Sequence, residues 1–145
     1  MKMLWKFPLA VCLLILARPL SSFAAETRVE RYRENDWEDD IGYRQAVRVG
    51  QTLYIAGTPG AGAMPEAIKE AYGKLEKTLK AHGLTFKNVV KENIYTTDIE
   101  ALKTHSLVRR AFYGKDFPAA SWVQVSRLYL PELVIEVELV AVFPE

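Results

Sequence analysis

The sequence predicts an α+β domain in which two helices cover one face of a largely antiparallel sheet. The order of segments points to this class, because residue periodicity gives three strands, a helix, a strand, a second helix and two final strands. Two patterns support it most strongly. Ile135–Leu139 alternates aliphatic residues with two glutamates, as in a half-buried strand, and Pro65–His82 places its large apolar residues on one helical face.

The first 24 residues are predicted to form a cleaved secretory signal. Lys2 and Lys6 supply a basic start, and the apolar run Phe7–Ala17 is shorter than the roughly 20 residues that a membrane-spanning helix needs. Ser22-Phe23-Ala24 places small residues at the −3 and −1 positions of a cleavage site. We therefore expect a signal over 1–24 and a single domain over 25–145 that is exported, periplasmic or secreted, without membrane attachment after cleavage. An uncleaved anchor is the alternative.

Composition and charge argue against several classes of function. Half of the residues are hydrophobic and 26% are charged, which predicts a packed domain. Cys12 is the single cysteine and falls in the predicted signal, so neither a disulfide framework nor a cysteine-ligated metal is expected. The signal carries three basic residues and no acidic one, which leaves a formal charge of −2 on the rest of the chain. A mildly acidic domain is a poor candidate for binding nucleic acid.

The segments before the first helix are predicted to be short strands and loops. Gly50-Gln51 joins two alternating runs and is typical of a hairpin turn. The acidic segment Glu34–Asp40 and the glycine-rich segment Gly57–Gly62 are predicted as loops, and the glycine spacing matches neither a P-loop nor a dinucleotide fingerprint. The predicted strands in this part of the chain are Thr27–Tyr32, Ala46–Val49 and Thr52–Ala56.

Two helices and three strands are predicted to follow. Gly83 is placed to cap the helix Pro65–His82, and Asp98 is placed to cap a second helix that runs to about Tyr113. The helices can shield only one face of the sheet, so apolar groups such as Trp122 and Val140 on the other face would need a partner, and self-association is expected. The predicted strands are Val89–Thr97, Ala120–Leu128 and Leu133–Val142.

Glu136 and Glu138 are the candidate catalytic residues that the pattern alone supplies. A period of two places both on one face of the last strand, where partial desolvation raises the pKa of a carboxyl and suits it to general acid–base chemistry. The alternative is a structural role in which both pair with arginines such as Arg127 across a subunit boundary. His82 and His105 are scattered along the chain and are not expected to form a metal site or a catalytic pair.

Five segments of the predicted domain carry a family resemblance. They are Gly42–Gly50 and Leu53–Gly57 in the opening hairpin, Val89–Asp98 in the central strand, Phe117–Leu128, and Leu133–Val142 in the closing strand. In this order they resemble the Rid family, which is also called YjgF or L-PSP endoribonuclease-like. The resemblance extends over about residues 40–143.

The resemblance implies a chorismate-mutase-like α+β fold and a homotrimer with three clefts between its subunits. Typical members hydrolyse reactive 2-imino or 2-amino acrylate-type intermediates to 2-keto acids and ammonia, with neither a metal nor another cofactor. In them an arginine binds the substrate carboxylate and a glutamate positions the attacking water. The resemblance therefore implies a small-molecule ligand, a trimeric assembly and no cofactor for this chain.

Residue by residue, the match to the family is incomplete. Glu136 matches the glutamate, Tyr43 matches the cleft tyrosine, and Gly57 matches the glycine whose backbone lines the pocket. The substrate-binding arginine is absent, because Ala120 follows the Pro-Ala pair where the family has arginine. The other departures are Ala56 for a serine, Trp122 for a cysteine or small residue, Ser106 for an asparagine, and a shortened loop over Thr58–Met64.

Three hypotheses follow from these departures. In the favoured one, the pocket is rebuilt for a less anionic, flatter or cationic ligand, which the protein binds and weakly hydrolyses through Glu136. The second is an active imine or enamine deaminase in which another cation, such as Arg44 or a residue of the adjoining subunit, replaces the arginine. The third is a non-catalytic trimeric interaction protein.

Overall fold

The computed structural model describes residues 28–145, so the signal expected over 1–24 lies outside the described residues. The described part of the chain contains six strands, four helices and one 3₁₀ turn, Phe86–Asn88. The strands are β1 Val29–Tyr32, β2 Ala46–Val49, β3 Thr52–Ala61, β4 Val89–Thr96, β5 Ala119–Gln124 and β6 Leu133–Val142. The helices are α1 Trp37–Asp40, α2 Met64–Ala81, α3 Ile99–Thr104 and α4 Ser106–Tyr113.

The six strands form one sheet in the order β1-β2-β3-β6-β4-β5. Neighbouring strands are antiparallel except β4 and β5, which are parallel because α3 and α4 cross over between them. The last strand, β6, therefore lies in the middle of the sheet, between β3 and β4. The predicted α+β class with a mostly antiparallel sheet is confirmed.

Helix α2 covers one face of the sheet, as the periodicity predicts. Its bounds agree with the predicted bounds to within one residue, and Gly83 follows it with a φ of +71°. The helix approaches β3 so closely that a Cβ at Gly60 would lie 2.0 Å from the carbonyl oxygen of Ala67. The four large residues of the predicted apolar face are fully buried: Ile68, Tyr72, Leu75 and Leu79.

Three predicted boundaries are wrong. The glycine-rich segment predicted as a loop is a strand, because β3 continues to Ala61 along its long partner β6. The second helix is interrupted at His105, which separates α3 from α4, although Asp98 does cap α3 by accepting a hydrogen bond from the Ala101 N–H at 2.9 Å. Strand β5 ends at Gln124 because its partner β4 ends there.

The sheet face away from the helices carries apolar side chains, but not all of those predicted. Val140 lies on that face opposite the half-exposed Tyr54, and Val123 is exposed there too. Trp122 points to the other face, because its register partner Ile94 is buried beneath the helices. None of the helices within residues 28–145 has the length and hydropathy to cross a membrane.

Candidate active site

A cavity of about 660 Å³ opens beside strands β3 and β6. Three of the residues singled out in the sequence, Tyr43, Gly57 and Glu136, line it together. They come from three separate segments, so the sheet brings together what the chain holds far apart. The rest of the wall is formed by Glu34, Asn35, Trp37, Ile41, Gln45, Thr58, Pro59, Lys74, Thr78, Tyr129, Leu130 and Leu133.

Glu136 projects from the middle of β6, where it is flanked by Pro59 on β3 and Tyr95 on β4. Its carboxylate lies directly against the backbone of Gly57, since a Cβ there would be 2.0 Å from Glu136 Oε1. The side chain is partly buried, and no hydrogen bond or ion pair holds it among residues 28–145. Burial, and then the charge of Glu138, raise the pKa of Glu136. The group is therefore a free carboxyl suited to taking up and releasing a proton.

Glu138, two residues further along the same face, has partners that Glu136 lacks. Its Oε2 accepts a hydrogen bond from Asn93 Nδ2 at 3.3 Å and another from the Tyr95 hydroxyl at 3.4 Å. It does not line the cavity. Within the chain, Arg127 donates to the carbonyl oxygens of Leu128 and Tyr129, and its pairing with the glutamates across a subunit boundary stays a prediction. The structure therefore separates the two glutamates into a free group and a bonded one.

The Tyr43 hydroxyl lines the same cavity as Glu136 and is a neutral polar group. It lies 3.0 Å from Gln45 Oε1 and 3.4 Å from the carbonyl oxygen of Gly57. Burial raises the pKa of Tyr43 to about 12, and the nearby charges of Glu38, Glu136 and Glu34 act in the same direction. At neutral pH the hydroxyl therefore keeps its proton and can orient a ligand or water, but it is not a base.

The acidic segment predicted as a solvated loop forms part of the cavity wall. Trp37–Asp40 is the short helix α1, and Glu38 within it is fully buried. Its carboxylate accepts hydrogen bonds from the backbone N–H groups of Glu34, Asn35 and Gln45 at 2.8–3.0 Å. Burial alone would raise the pKa of Glu38, but these three bonds lower it. The ionised carboxylate thus fixes the turn, a role that sequence spacing does not reveal.

The fixed turn presents an aromatic surface to the cavity. The Trp37 ring is half exposed and stacks on Tyr43, with ring centroids 5.5 Å apart and an angle of 24° between the planes. Composition analysis missed this role of Trp37. The available signal was an isolated tryptophan within an acidic segment close to the predicted cleft tyrosine.

Arg44, the predicted substitute cation, does not reach the cavity. Its Nη2 lies 2.6 Å from Asp39 Oδ1, and its Nη1 donates to the carbonyl oxygen of Tyr43 at 2.6 Å. It is absent from the cavity wall. Arg44 therefore binds Asp39 of α1 and the backbone of Tyr43, and it does not contact the space that a ligand in this cavity would occupy.

The other three predicted ligand residues lie outside the cavity of this subunit. Ser106 begins α4, and Ala120 and Trp122 lie on the edge strand β5. The register pairs Ala120 with Glu92 and Trp122 with Ile94, both on the helix-covered face, whereas Glu136 lies on the opposite face. A subunit thus carries two separate groups of predicted site residues, which we call the Glu136 group (Tyr43, Gly57 and Glu136) and the β5 group (Ser106, Ala120 and Trp122).

Beneath the β5 group lies a buried ion pair that sequence analysis did not find. Arg109 Nε donates a hydrogen bond to Glu92 Oε2 at 2.7 Å, and Arg109 Nη2 lies 2.5 Å from the same oxygen. The hydroxyls of Tyr72 and Tyr113 donate to Glu92 Oε1 at 2.5 and 2.7 Å. Burial lowers the pKa of Arg109, but its hydrogen bond to Glu92 and the charge there raise it by more. The signal available in the sequence was that the period of two places Glu92 on the same strand face as Ile94.

Trp122 is tied to this ion pair and not to the cavity. The Arg109 guanidinium carbon lies 5.2 Å from the Trp122 ring centroid. Trp122 Nε1 is buried without an acceptor, and it is the single such side-chain atom in the part of the chain that the structure describes. The described residues include no group of three or more histidines, cysteines or acidic residues placed to hold a metal ion.

Comparisons with known proteins agree on one family. The profile described as Endoribonuclease L-PSP matches residues 37–143. Human 2-iminobutanoate/2-iminopropanoate deaminase is 34% identical over 109 residues, which are 69% of this chain and 79% of that protein. RutC family protein UK114 of Drosophila melanogaster is 32% identical over 68% of this chain and 78% of its own. A YjgF/YER057c/UK114 family structure from Mycobacterium tuberculosis is 32% identical with a TM-score of 0.73, covering 79% of this chain and 99% of its own.

Proposed function

Because the chain belongs to the Endoribonuclease L-PSP family, also called YjgF or Rid, we propose that it binds a small molecule beside Glu136 and weakly hydrolyses a carbon–nitrogen bond in it. The unpartnered carboxyl of Glu136 against Gly57 carries this proposal. A carboxyl without a competing partner, and with a raised pKa, can accept a proton from an attacking water and return it to the departing nitrogen. The open cavity beside it leaves room for the ligand.

The same proposal includes a departure from standard 2-imino acid deamination. The family resemblance places the carboxylate-binding arginine at Ala120, and alanine offers no charge-assisted hydrogen bond. Such a bond is worth about 1.5–3 kcal/mol, which corresponds to a tenfold to hundredfold loss when it is missing. The commitment of Arg44 to Asp39 weakens the alternative of an active deaminase with that substitute cation.

We further propose that the ligand site is completed in a homotrimer. Clefts between subunits would bring the β5 group of one subunit to the Glu136 group of its neighbour, which explains why one subunit keeps the groups apart. The apolar side chains on the uncovered sheet face, Tyr54, Val123 and Val140, support burial against another copy. Light scattering should give about three times the subunit mass. A stable monomer at micromolar concentration would exclude this assembly.

The activity is tested by measuring keto-acid release from an enzymatically generated 2-imino acid. We expect feeble turnover by the parent protein, a partial gain in Ala120→Arg, and a larger gain when Trp122→Cys is added, because neighbouring pocket residues couple non-additively. Glu136→Gln should abolish the gain, since it removes the proton acceptor at nearly constant volume. Glu66→Gln, an exposed carboxylate on α2, is the matched control and should have no effect. Robust turnover by the parent protein would overturn the proposed departure.

Export is also proposed, on the basis of the N-terminal sequence. The basic start, the short apolar run and the small residues around Ala24 support cleavage at that point. The resulting protein would have a formal charge of −2, which makes nucleic acid a poor partner. N-terminal sequencing of protein from its native host should begin at Ala25. An intact Met1 in a cytosolic fraction would contradict this proposal.

A further inference from the structure

The cavity beside Glu136 has an excess of negative charge on its wall. Glu34 and Glu136 contribute two carboxylates, and Lys74 contributes the single cation among the described lining residues. The Lys74 ammonium is already engaged, at 2.6 Å from Glu70 Oε1 and 3.2 Å from the carbonyl oxygen of Pro59. The cation is therefore held by Glu70 of its own helix and by Pro59 of β3, whereas the Glu136 carboxylate is free.

The arginines closest to the cavity are also engaged elsewhere. Arg33 lies 2.7 Å from Asp39 Oδ2, and Arg44 lies 2.6 Å from Asp39 Oδ1. Arg127 donates to the carbonyl oxygens of the residues that follow it, at 3.2 Å in each case. An anionic ligand would have to displace one of these contacts to gain a counter-charge, and it would meet Glu136 with no compensation.

If the β5 group of a neighbouring subunit completes the cleft, it does not remove the excess of negative charge on the cavity wall. Ser106, Ala120 and Trp122 carry no charge. Two cations close to them are already engaged: Arg109 is buried and bound by Glu92 through two nitrogens, and Lys91 donates to Ser121 Oγ at 2.9 Å. Trp122 would instead add a fourth aromatic residue to Trp37, Tyr43 and Tyr129 in the completed cleft.

The remaining wall of the cavity combines four neutral polar residues, Asn35, Gln45, Thr58 and Thr78, with aromatic and apolar ones. Tyr129 is 76% exposed, and Ile41 and Leu130 are exposed as well. The stacked pair of Trp37 and Tyr43 lines the same cavity as the Glu136 carboxylate. Aromatic faces attract cations, and they also bind flat apolar groups.

We propose that this cavity selects flat organic cations, such as a protonated imine, amidine or amine on an apolar or aromatic body, over neutral and anionic molecules of the same shape. The inference rests on the proposed function and specifies its substrate class. Glu136 serves as counter-charge to the cationic nitrogen, and the Trp37 ring holds the flat body. A carbon–nitrogen double bond that is already protonated is also the form that water attacks most easily, so binding and hydrolysis require the same charge state.

The raised pKa of Tyr43 is consistent with this electrostatic character. After burial, its causes are the charges of Glu38, Glu136 and Glu34, all of one sign. The part of the shift that comes from these carboxylates would also attract a bound cation, whereas burial, its largest cause, disfavours charge of either sign.

Three probes of one shape and different charge test the proposal: benzamidine as the cation, benzamide as the neutral molecule and benzoate as the anion. Calorimetric titration of the purified protein near pH 7 should show benzamidine binding at least tenfold more tightly than benzamide, and benzoate most weakly. Glu136→Gln should bring benzamidine and benzamide to within about threefold of each other. Glu34→Gln should reduce the preference less, and Glu66→Gln should leave it unchanged.

The outcomes distinguish this inference from the proposed function. The proposal that the cavity selects cations through Glu136 would be overturned by either of two results. One is benzoate binding as tightly as benzamidine, and the other is a cation preference that survives Glu136→Gln. If Trp37→Ala also weakened all three probes in that case, small-molecule binding in this cavity would still stand. Failure of all three probes to bind at millimolar concentration would count against both the selection of cations and the proposed binding function. A preference for benzamidine that is lost in Glu136→Gln supports both.

Discussion

Glu92 and Glu136 lie on neighbouring strands of one sheet but face opposite sides of it. Glu92 is 0% exposed, and its two oxygens receive Arg109 and two tyrosine hydroxyls. Glu136 is only partly buried, yet it has no hydrogen-bond partner among residues 28–145. The more deeply buried carboxylate is therefore the one whose bonding capacity is filled by its own chain.

The contrast shows that burial of a charge does not by itself identify a functional group. A saturated carboxylate has no free lone pair for a ligand, and its removal or that of its partner affects stability. A half-buried carboxylate without partners lowers the stability of the fold, and it remains available to bind a ligand or transfer a proton. Four experiments test this distinction between the two carboxylates.

The largest expected effect comes from disrupting the buried ion pair between Glu92 and Arg109. Arg109→Met leaves the buried Glu92 charge without its partner and should lower the free energy of unfolding by about 3–5 kcal/mol. Adding Glu92→Gln removes the stranded charge while keeping an acceptor for Tyr72 and Tyr113, so it should recover much of the loss. Urea denaturation of both variants measures this. A loss below about 1 kcal/mol in the single variant would show that the pair is not structurally coupled.

Gly57→Ala should have the next largest effect, because it forces the free carboxylate to move. The added Cβ would lie 2.0 Å from Glu136 Oε1, and the resulting displacement should lower stability by about 1–3 kcal/mol and abolish binding beside Glu136. Gly73→Ala is the matched control. Its Cβ meets nothing within 4 Å inside α2, so it should stabilise the protein by about 0.5–1 kcal/mol and leave binding intact. Equal effects of the two variants would contradict the proposed contact.

A smaller effect is expected from Glu136→Gln, and it depends on pH. Burial and the charge of Glu138 raise the pKa of Glu136 above its ordinary value of 4.5, so the folded protein binds this proton more tightly than the unfolded chain does. The stability from this group is fully present below about pH 4.5 and is lost as the pH rises through the raised pKa. Glutamine does not titrate, so this loss is absent in the variant. Its free energy of unfolding, measured by urea denaturation, should therefore rise relative to that of the parent between about pH 4 and pH 7. A pH-independent difference would argue against a raised pKa.

The smallest effect is expected from Glu138→Gln. This change removes the charge that acts second to burial in raising the pKa of Glu136. The pKa of Glu136, followed by NMR of its carboxyl carbon, should fall but stay above its ordinary value, because burial persists. Glu132→Gln, on the exposed turn before β6, should leave it unchanged. No response to Glu138→Gln would mean that solvent screens the two carboxylates from each other.

The sequence predicted those parts of the fold and site that depend on local periodicity. The alternation around Glu136 and the apolar face of α2 were correct because strand and helix patterns follow from neighbouring residues. The face of Trp122 was wrong because it depends on the register of β5 against β4, two strands separated by the whole α3–α4 crossover. The roles of Glu38 and Arg109 were missed for a similar reason, since their partners lie elsewhere in the chain and only the folded arrangement brings them together.

The separation of the Glu136 group from the β5 group also has a genetic consequence. If each cleft takes one group from each of two neighbouring subunits, an inactivating change in one group and an inactivating change in the other can complement each other. A mixed trimer of Glu136→Gln subunits with subunits that carry an inactivating change in the β5 group would contain some clefts assembled from two undamaged halves. Two alleles that are each inactive when expressed alone would then restore function in a cell that expresses both.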